Sequence, residues 1–272
     1  MRKQLAINSN TYHGFSLEDA LKGASAAGFT QIELAAVRDH TAHVLPDMSH
    51  QELDDIKKLL RDYGMKCVGI GAHSNVMKEE GVVNLLKSVD LAVEFDCPYI
   101  ISATGDAHND ADVIEDEKVL AANLAPIIEK CERLNKTLVL ETHGNNYPTG
   151  VSLKKLAQSL DGRVKINYDT ANVIFYSNTM PYEDLGASVD YVEFIHLKDK
   201  LGAHNEWNFP AIGDGYLDFR RIFQTLKKAN YQDPISVEIE FTSIGPANLG
   251  EVNDAVKRSF DYLVNTLSEG ER

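Results

Sequence analysis

Eight short apolar runs, each followed by a stretch with helical spacing, alternate along the 272 residues of this chain. Runs of four to eight apolar residues without strict alternation suit strands covered on both faces, as in a parallel sheet flanked by helices. The pattern predicts strands at Gln4–Asn8, Gln31–Ala35, Cys67–Ile70, Pro98–Ile101, Thr137–Glu141, Val164–Tyr168, Val192–His196 and Ile235–Ile239. The intervening segments carry helix punctuation. Ser16, followed by Glu18 and Asp19, opens a helix to Ala27 that Gly28 stops. Ser49-His50-Gln51-Glu52 reads as a capping box for a helix to Tyr63, with Gly64 just beyond. Further helices are expected at Val82–Phe95, Glu117–Leu134, Ser152–Leu160, Ser177–Ser188, Phe219–Ala229 behind the cap Asp218, and Val252–Leu267. Pro126 implies a bend or a late start in the long helix.

Eight such units in a chain of this length are the count of a (β/α)8 TIM barrel, and no linker or low-complexity segment divides residues 1–272. The expectation is a single-domain α/β barrel, with a doubly wound open sheet as the alternative. Lysine and arginine number 27 against 41 acids, a formal charge of −14 without a basic stripe, which argues against nucleic acid as a partner. No secretion-type apolar segment follows Met1-Arg2-Lys3, and nowhere do 18 apolar residues run together, so a membrane partner is not expected. Cys67, Cys97 and Cys131 are odd in number and set among apolar neighbours, as in a reduced cytoplasmic protein. A homo-oligomer stays open.

In a barrel of this kind the chemistry gathers at the C-terminal ends of the strands. Glu141, Asp169, His196 and Glu238 each stand at such an end, at intervals of 28, 27 and 42 residues. Singly, each has a plain reading: a strand-end acid caps the next helix, as Asp169-Thr170 would, and a lone histidine is usually a hydrogen-bonded core residue. Together they reinforce one another. Three carboxylates and one imidazole make an oxygen-dominated set for one divalent ion, with Mn²⁺ foremost and Mg²⁺, Co²⁺, Zn²⁺ or Fe²⁺ as alternatives.

Leu140-Glu141-Thr142-His143-Gly144, Asp169-Thr170-Ala171-Asn172, Ile195-His196-Leu197-Lys198-Asp199 and Ile212-Gly213-Asp214-Gly215 resemble the xylose isomerase-like TIM barrels of the sugar phosphate isomerase/epimerase superfamily. The resemblance spans the chain and is densest from Leu138 onward. It implies a divalent metal on the residues matching Glu141, Asp169, His196 and Glu238, and, by likeness to the ketose 3-epimerases, Glu141 and Glu238 as acid and base. Register with the family favours Glu238 over Glu240. Asn172 stands where ketose 3-epimerases carry a histidine, and their arginine after the metal histidine has no match. Endonuclease IV shares the barrel, but Ser102 and Asn172 occupy positions where it needs histidines, and the charge opposes a DNA substrate.

Substrate contacts are expected at His143, Asn172, Lys198, His73 and Glu33, with Trp207 as a lid over a sugar face; Lys200 is a weaker candidate. Gly213-Asp214-Gly215 lacks P-loop spacing and reads as a turn. The substrate class is a small carbohydrate, a ketose or sugar acid. The reaction expected is isomerisation or epimerisation through a metal-stabilised enediolate. A lyase of the inosose dehydratase or keto-acid decarboxylase type is the rival, and a non-catalytic sugar-binding barrel the third reading.

Overall fold

A computed structural model describes residues 1–105, 114 and 116–269. The strands are β1 (Leu5–Asn8), β2 (Gln31–Ala35), β3 (Lys66–Gly71), β4 (Tyr99–Ser102), β5 (Thr137–Glu141), β6 (Lys165–Asp169), β7 (Val192–Leu197), β8 (Asn208–Phe209), β9 (Ile235–Val237) and β10 (Phe241–Thr242). β1 to β7 pair in sequence order, all parallel, and β9 closes the barrel between β7 and β1. The open-sheet alternative is thereby excluded. β8 and β10 form a separate antiparallel pair that the sequence pattern did not reveal, because two-residue strands carry no period.

The helices between them are α1 (Leu17–Ala27), α2 (His50–Asp62), α3 (Glu79–Glu94), α4 (Glu117–Arg133), α5 (Gly150–Ser159), α6 (Asn172–Ser177), α7 (Pro181–Ser188), α8 (Phe219–Lys228) and α9 (Leu249–Glu269). Ser16 with Asp19 and Ser49 with Glu52 form reciprocal capping boxes, as their sequences indicate. Each cap is worth about 1 kcal/mol. α5 starts two residues before the expected Ser152. Thr149 is its cap, and the Asp184 carboxylate accepts the N–H groups of Gly150 at 2.7 Å and Val151 at 3.1 Å. The single helix expected over Ser177–Ser188 is instead the pair α6 and α7. Asn178 ends the first with φ at 54°, and Pro181, which has no N–H to donate, opens the second in its first turn. Pro126 does not delay α4, which starts at Glu117.

Inside the barrel, Ala6, Val68, Tyr99, Ile101, Val139 and Phe194 form a small apolar cluster, while a larger one fills the space between strands and helices. Side chains on a strand alternate in direction, so Phe194, His196 and Lys198 share the inward face of β7 and its extension. Phe194 sets its ring edge-on to His196, with centroids 5.8 Å apart, and forms the floor beneath it. Gly69 makes that floor fit: a Cβ there would lie 2.6 Å from Ile101 Cδ1.

Candidate metal centre and active site

The ladder of the barrel brings the four strand-end candidates together. Asp169 pairs with His196 across β6 and β7, and His196 pairs with Ser236 across β7 and β9, which sets Glu238 two residues beyond. Past the ladder, Thr170 Oγ1 donates to the Lys198 carbonyl at 2.7 Å and accepts its N–H at 3.0 Å, holding the two strand ends in step. Glu141, Asp169, His196 and Glu238 are all buried, and one ligand atom from each falls within 4.8 Å of the others.

Each ligand has one side turned to the centre and another tied to the scaffold. His196 Nδ1 lies 3.0 Å from Glu141 Oε1 and 3.5 Å from Glu238 Oε2. Asp169 Oδ1 accepts the N–H groups of Ala171 at 2.9 Å and Asn172 at 2.8 Å, at the start of α6, while its buried Oδ2 accepts no hydrogen bond. The helix-cap and ligand readings of Asp169 are thus compatible, one oxygen for each. Glu141 takes the Asn172 side-chain amide at 3.1 Å on Oε1, and His73 Nε2 contacts Oε2. Glu238 Oε1 accepts the amides of Asn8 and Asn10, both at 2.9 Å.

Lys198 enters from the side. Its Nζ is 2.7 Å from Glu240 Oε2, 3.0 Å from Glu238 Oε2 and 3.2 Å from Asp169 Oδ2, and it lies 5.1 Å from the Phe209 ring centroid. Burial opposes charge on Lys198, yet its three carboxylate partners raise its pKa well above the usual lysine range. Burial likewise opposes charge on His196, and Glu33, Glu141 and Glu238 more than offset it, so the imidazole is also raised. Asp169 goes the other way for an acid: burial, helped by Glu141 and Glu238, pushes it up to about 7 against Lys198 and His196. Glu141 and Glu238 are held ionised against their burial by His196 and, for Glu238, Lys198, while Asp169 resists ionising beside them, and a divalent cation relieves such a site. That strain, the Asp169 Oδ2 that accepts no hydrogen bond, and the convergent donor set all fit such an ion.

A cavity of about 450 Å³ opens above these residues and takes His73, His143, Asn172, Lys198, Trp207, Glu238 and Glu240 into its wall. All five expected substrate contacts, His143, Asn172, Lys198, His73 and Glu33, belong to its lining. His143 faces Tyr176, 3.4 Å from Nε2 to the hydroxyl, and its ring is 5.7 Å from that of His73. Trp207 stands edge-on to Phe175 and Phe209, a packed wall rather than a free lid. Glu33 is also engaged beneath the site. It is fully buried, with His196 Nε2 2.9 Å from Oε2 and Ser236 Oγ donating to the same oxygen at 2.7 Å. Lys200 does not reach the cavity wall; its Nζ donates to the carbonyls of Leu201, Ala203 and Glu206. Asp199 accepts the N–H groups of Gly213, Gly215 and Leu217, which accounts for the glycines there as turn residues.

Sequence reasoning missed Asn8, Asn10 and Tyr176. Asn8 ends β1 and obeys the strand-end rule, but a search for metal-type ligands passes over an amide.

The sequence model of a family described as xylose isomerase-like TIM barrel matches residues 21–265. L-ribulose-5-phosphate 3-epimerase UlaE of Escherichia coli K12 is 25% identical over 195 residues, 69% of this chain; the match spans 66% of that protein, just under two thirds. D-psicose 3-epimerase from Clostridium cellulolyticum H10 superposes with a TM-score of 0.79 at 14% identity, covering 97% of this chain and 99% of its own. The probable 3-DHS dehydratase AsbF of Bacillus anthracis superposes with a TM-score of 0.76 at 18% identity, covering 96% and 98%. At these identities the two structures speak to the fold alone. Among the described residues no helix is long and apolar enough to cross a membrane.

Proposed function

The chain belongs to the xylose isomerase-like TIM barrels, and from that membership we propose that it is a divalent-metal-dependent epimerase or isomerase of a small ketose or sugar acid. The observation that carries the reading is the convergence of Glu141, Asp169, His196 and Glu238, with ligand atoms within 4.8 Å of one another at the mouth of the barrel. Glu141, Asp169, His196 and Glu238 would hold the ion, with Mn²⁺ the first candidate and Mg²⁺, Co²⁺, Zn²⁺ or Fe²⁺ the others. When bound, the ion supplies a Lewis acid that polarises a substrate carbonyl and so acidifies the neighbouring C–H.

The remaining chemistry belongs to the chain. Glu141 and Glu238, both beside His196 Nδ1, are the proposed acid and base. One takes the proton from the carbon beside the carbonyl and the other returns a proton to the opposite face, which inverts that carbon. His73 on Glu141, and Asn8 with Asn10 on Glu238, orient the two carboxylates from behind. His143, Asn172 and His73 in the cavity wall present donors and acceptors to sugar hydroxyls, and the Trp207 wall offers an apolar face to the carbon skeleton. The three cysteines, all buried and unpaired, suit the cytoplasmic setting expected from the sequence.

A second reading, a lyase on the same centre, draws support from Lys198. Its ammonium, 2.7 Å from Glu240 and beside the cavity, would stabilise the negative charge that develops on a leaving oxygen or an enolate. Incubation of the metal-loaded protein with ketoses, keto acids and inososes in D₂O separates the readings. An isomerase or epimerase returns a product of unchanged composition carrying deuterium. A lyase product has lost water or CO₂.

A further inference from the structure

Glu33 is a buried acid for which the chemistry above has no use. It lies on β2, beside the point where the register between β2 and β3 shifts, and pairs with Asn8 across β1 and β2. Its carboxylate reaches under the site to His196, with Nε2 2.9 Å from Oε2 and 3.1 Å from Oε1. Neither residue is more than 1% exposed. We infer that Glu33 is a positioning residue that fixes the His196 ring, holding Nε2–H so that Nδ1 is the atom turned to the ion. The inference rests on the metal-dependent reading of the site.

Three strands are shaped around this contact. Ser236, the ladder partner of His196 on β9, donates to Glu33 Oε2 at 2.7 Å and holds the carboxylate in place. On β3, Gly71 leaves the space that Glu33 needs, since a Cβ there would stand 2.9 Å from Oε1. Phe194 closes the ring from below, edge to face. The other imidazole nitrogen is then the only one free to face the cluster, where it points between Glu141 Oε1 and Glu238 Oε2. With Ser236 donating to it, the Glu33 carboxylate accepts from Nε2–H, while Nδ1, beside Glu141 and Glu238 in the cluster, is the nitrogen that would yield its proton to the ion. A ligand histidine held this way keeps its tautomer and its aim, and gains basicity at the coordinating nitrogen.

A buried acid with a merely structural task would affect folding and leave the ion alone, and the test is built on that difference. Mn²⁺ affinity is measured by chelator competition for the unmodified protein, Glu33→Gln, Glu33→Ala and Ser236→Ala, alongside circular dichroism and thermal unfolding of each metal-free protein. The expected result is a Kd weakened by roughly 10- to 100-fold in both Glu33 variants, and by less in Ser236→Ala. Mn²⁺ affinity within about twofold of the unmodified protein in a folded Glu33→Gln, whatever its unfolding temperature, would overturn the assignment. If Glu33→Ala does not fold, Glu33→Gln, which keeps the shape and an acceptor, carries the comparison. A second measurement needs no substitution: in ¹⁵N-histidine-labelled protein, the His196 Nε2 should carry a proton, with or without ion. A bare Nε2 overturns the proposal. Should the unmodified protein bind no divalent ion, the metal-dependent reading falls, and this spectrum still decides whether Glu33 orients the ring.

Discussion

Asp169 Oδ2 and Lys198 Nζ lie 3.2 Å apart at the ends of neighbouring strands, yet the oxygen accepts no hydrogen bond. The carboxylate is buried, faces two other acids and has a cation nearby that is shared with Glu238 and Glu240. Much of the behaviour expected of the site follows from that arrangement.

Metal binding should strengthen as pH rises. In the metal-free protein burial pushes Asp169 up to about 7, so below that value it binds a proton that the ion must displace. His196, raised by its carboxylate neighbours, adds proton release in the same direction. Calorimetric titration of Mn²⁺ between pH 6 and pH 8, in buffers of differing ionisation enthalpy, should give tighter binding and fewer released protons at the higher pH. Binding independent of pH would contradict the buried cluster.

Lys198→Met should destabilise the metal-free protein strongly. The substitution leaves Asp169, Glu238 and Glu240 packed without their shared countercharge, a loss of about 3–5 kcal/mol for a broken buried ion pair. Saturating Mn²⁺ should restore more stability to this variant than to the unmodified protein, since the ion takes over part of the charge. Thermal unfolding with and without the ion measures both effects.

The same lysine bears on which sugars enter. Carboxylates of Glu33, Asp39, Glu141, Glu238 and Glu240 border the cavity, and Lys198 is already engaged by acids. A phosphate dianion would meet net repulsion there. A free ketose should therefore be turned over with kcat/KM at least roughly tenfold above its phosphate ester, as measured on matched pairs at low salt. Preference for the ester would count against the charge argument.

Lys200→Met should loosen the loop that carries Trp207. The Lys200 ammonium ties the carbonyls of Leu201, Ala203 and Glu206, which lie in an exposed turn, and its loss leaves that turn without its shared donor. Because Trp207 is the sole tryptophan, its emission reports the change directly. A red shift and easier acrylamide quenching are expected, with metal affinity kept.

The barrel and the convergence of its four strand-end polar residues were legible in the sequence because both depend on local signals: apolar runs, helix caps and a polar residue at each strand end. Glu141, Asp169 and His196 were found that way, and Glu238 was preferred to Glu240 by register with the resembling family. The roles of neighbouring residues depend on which face of the barrel meets which, and one chain position says little about that. Glu33 reads as a sugar contact because it lies in a strand near the site, and nothing local in the sequence tells that its carboxylate also lies against His196. Lys198 and Lys200 share a sequence neighbourhood and a strand face, yet one lines the cavity and the other braces a loop. The split into α6 and α7 was foreshadowed by Asn178 and Pro181, whose conformational preferences the helical spacing obscured.

The central claim is that Glu141 and Glu238 move a proton at a carbon beside a carbonyl, in a site completed by a divalent ion. The direct measurement is deuterium incorporation from D₂O into a ketose, followed by NMR for the Mn²⁺-loaded protein, the chelator-treated protein, Glu141→Gln and Glu238→Gln. Exchange should proceed in the loaded protein, stop on chelation and fall at least about a hundredfold in each variant, within the usual range for a lost acid or base. Undiminished exchange in Glu238→Gln with bound metal, or exchange that survives chelation, would contradict it.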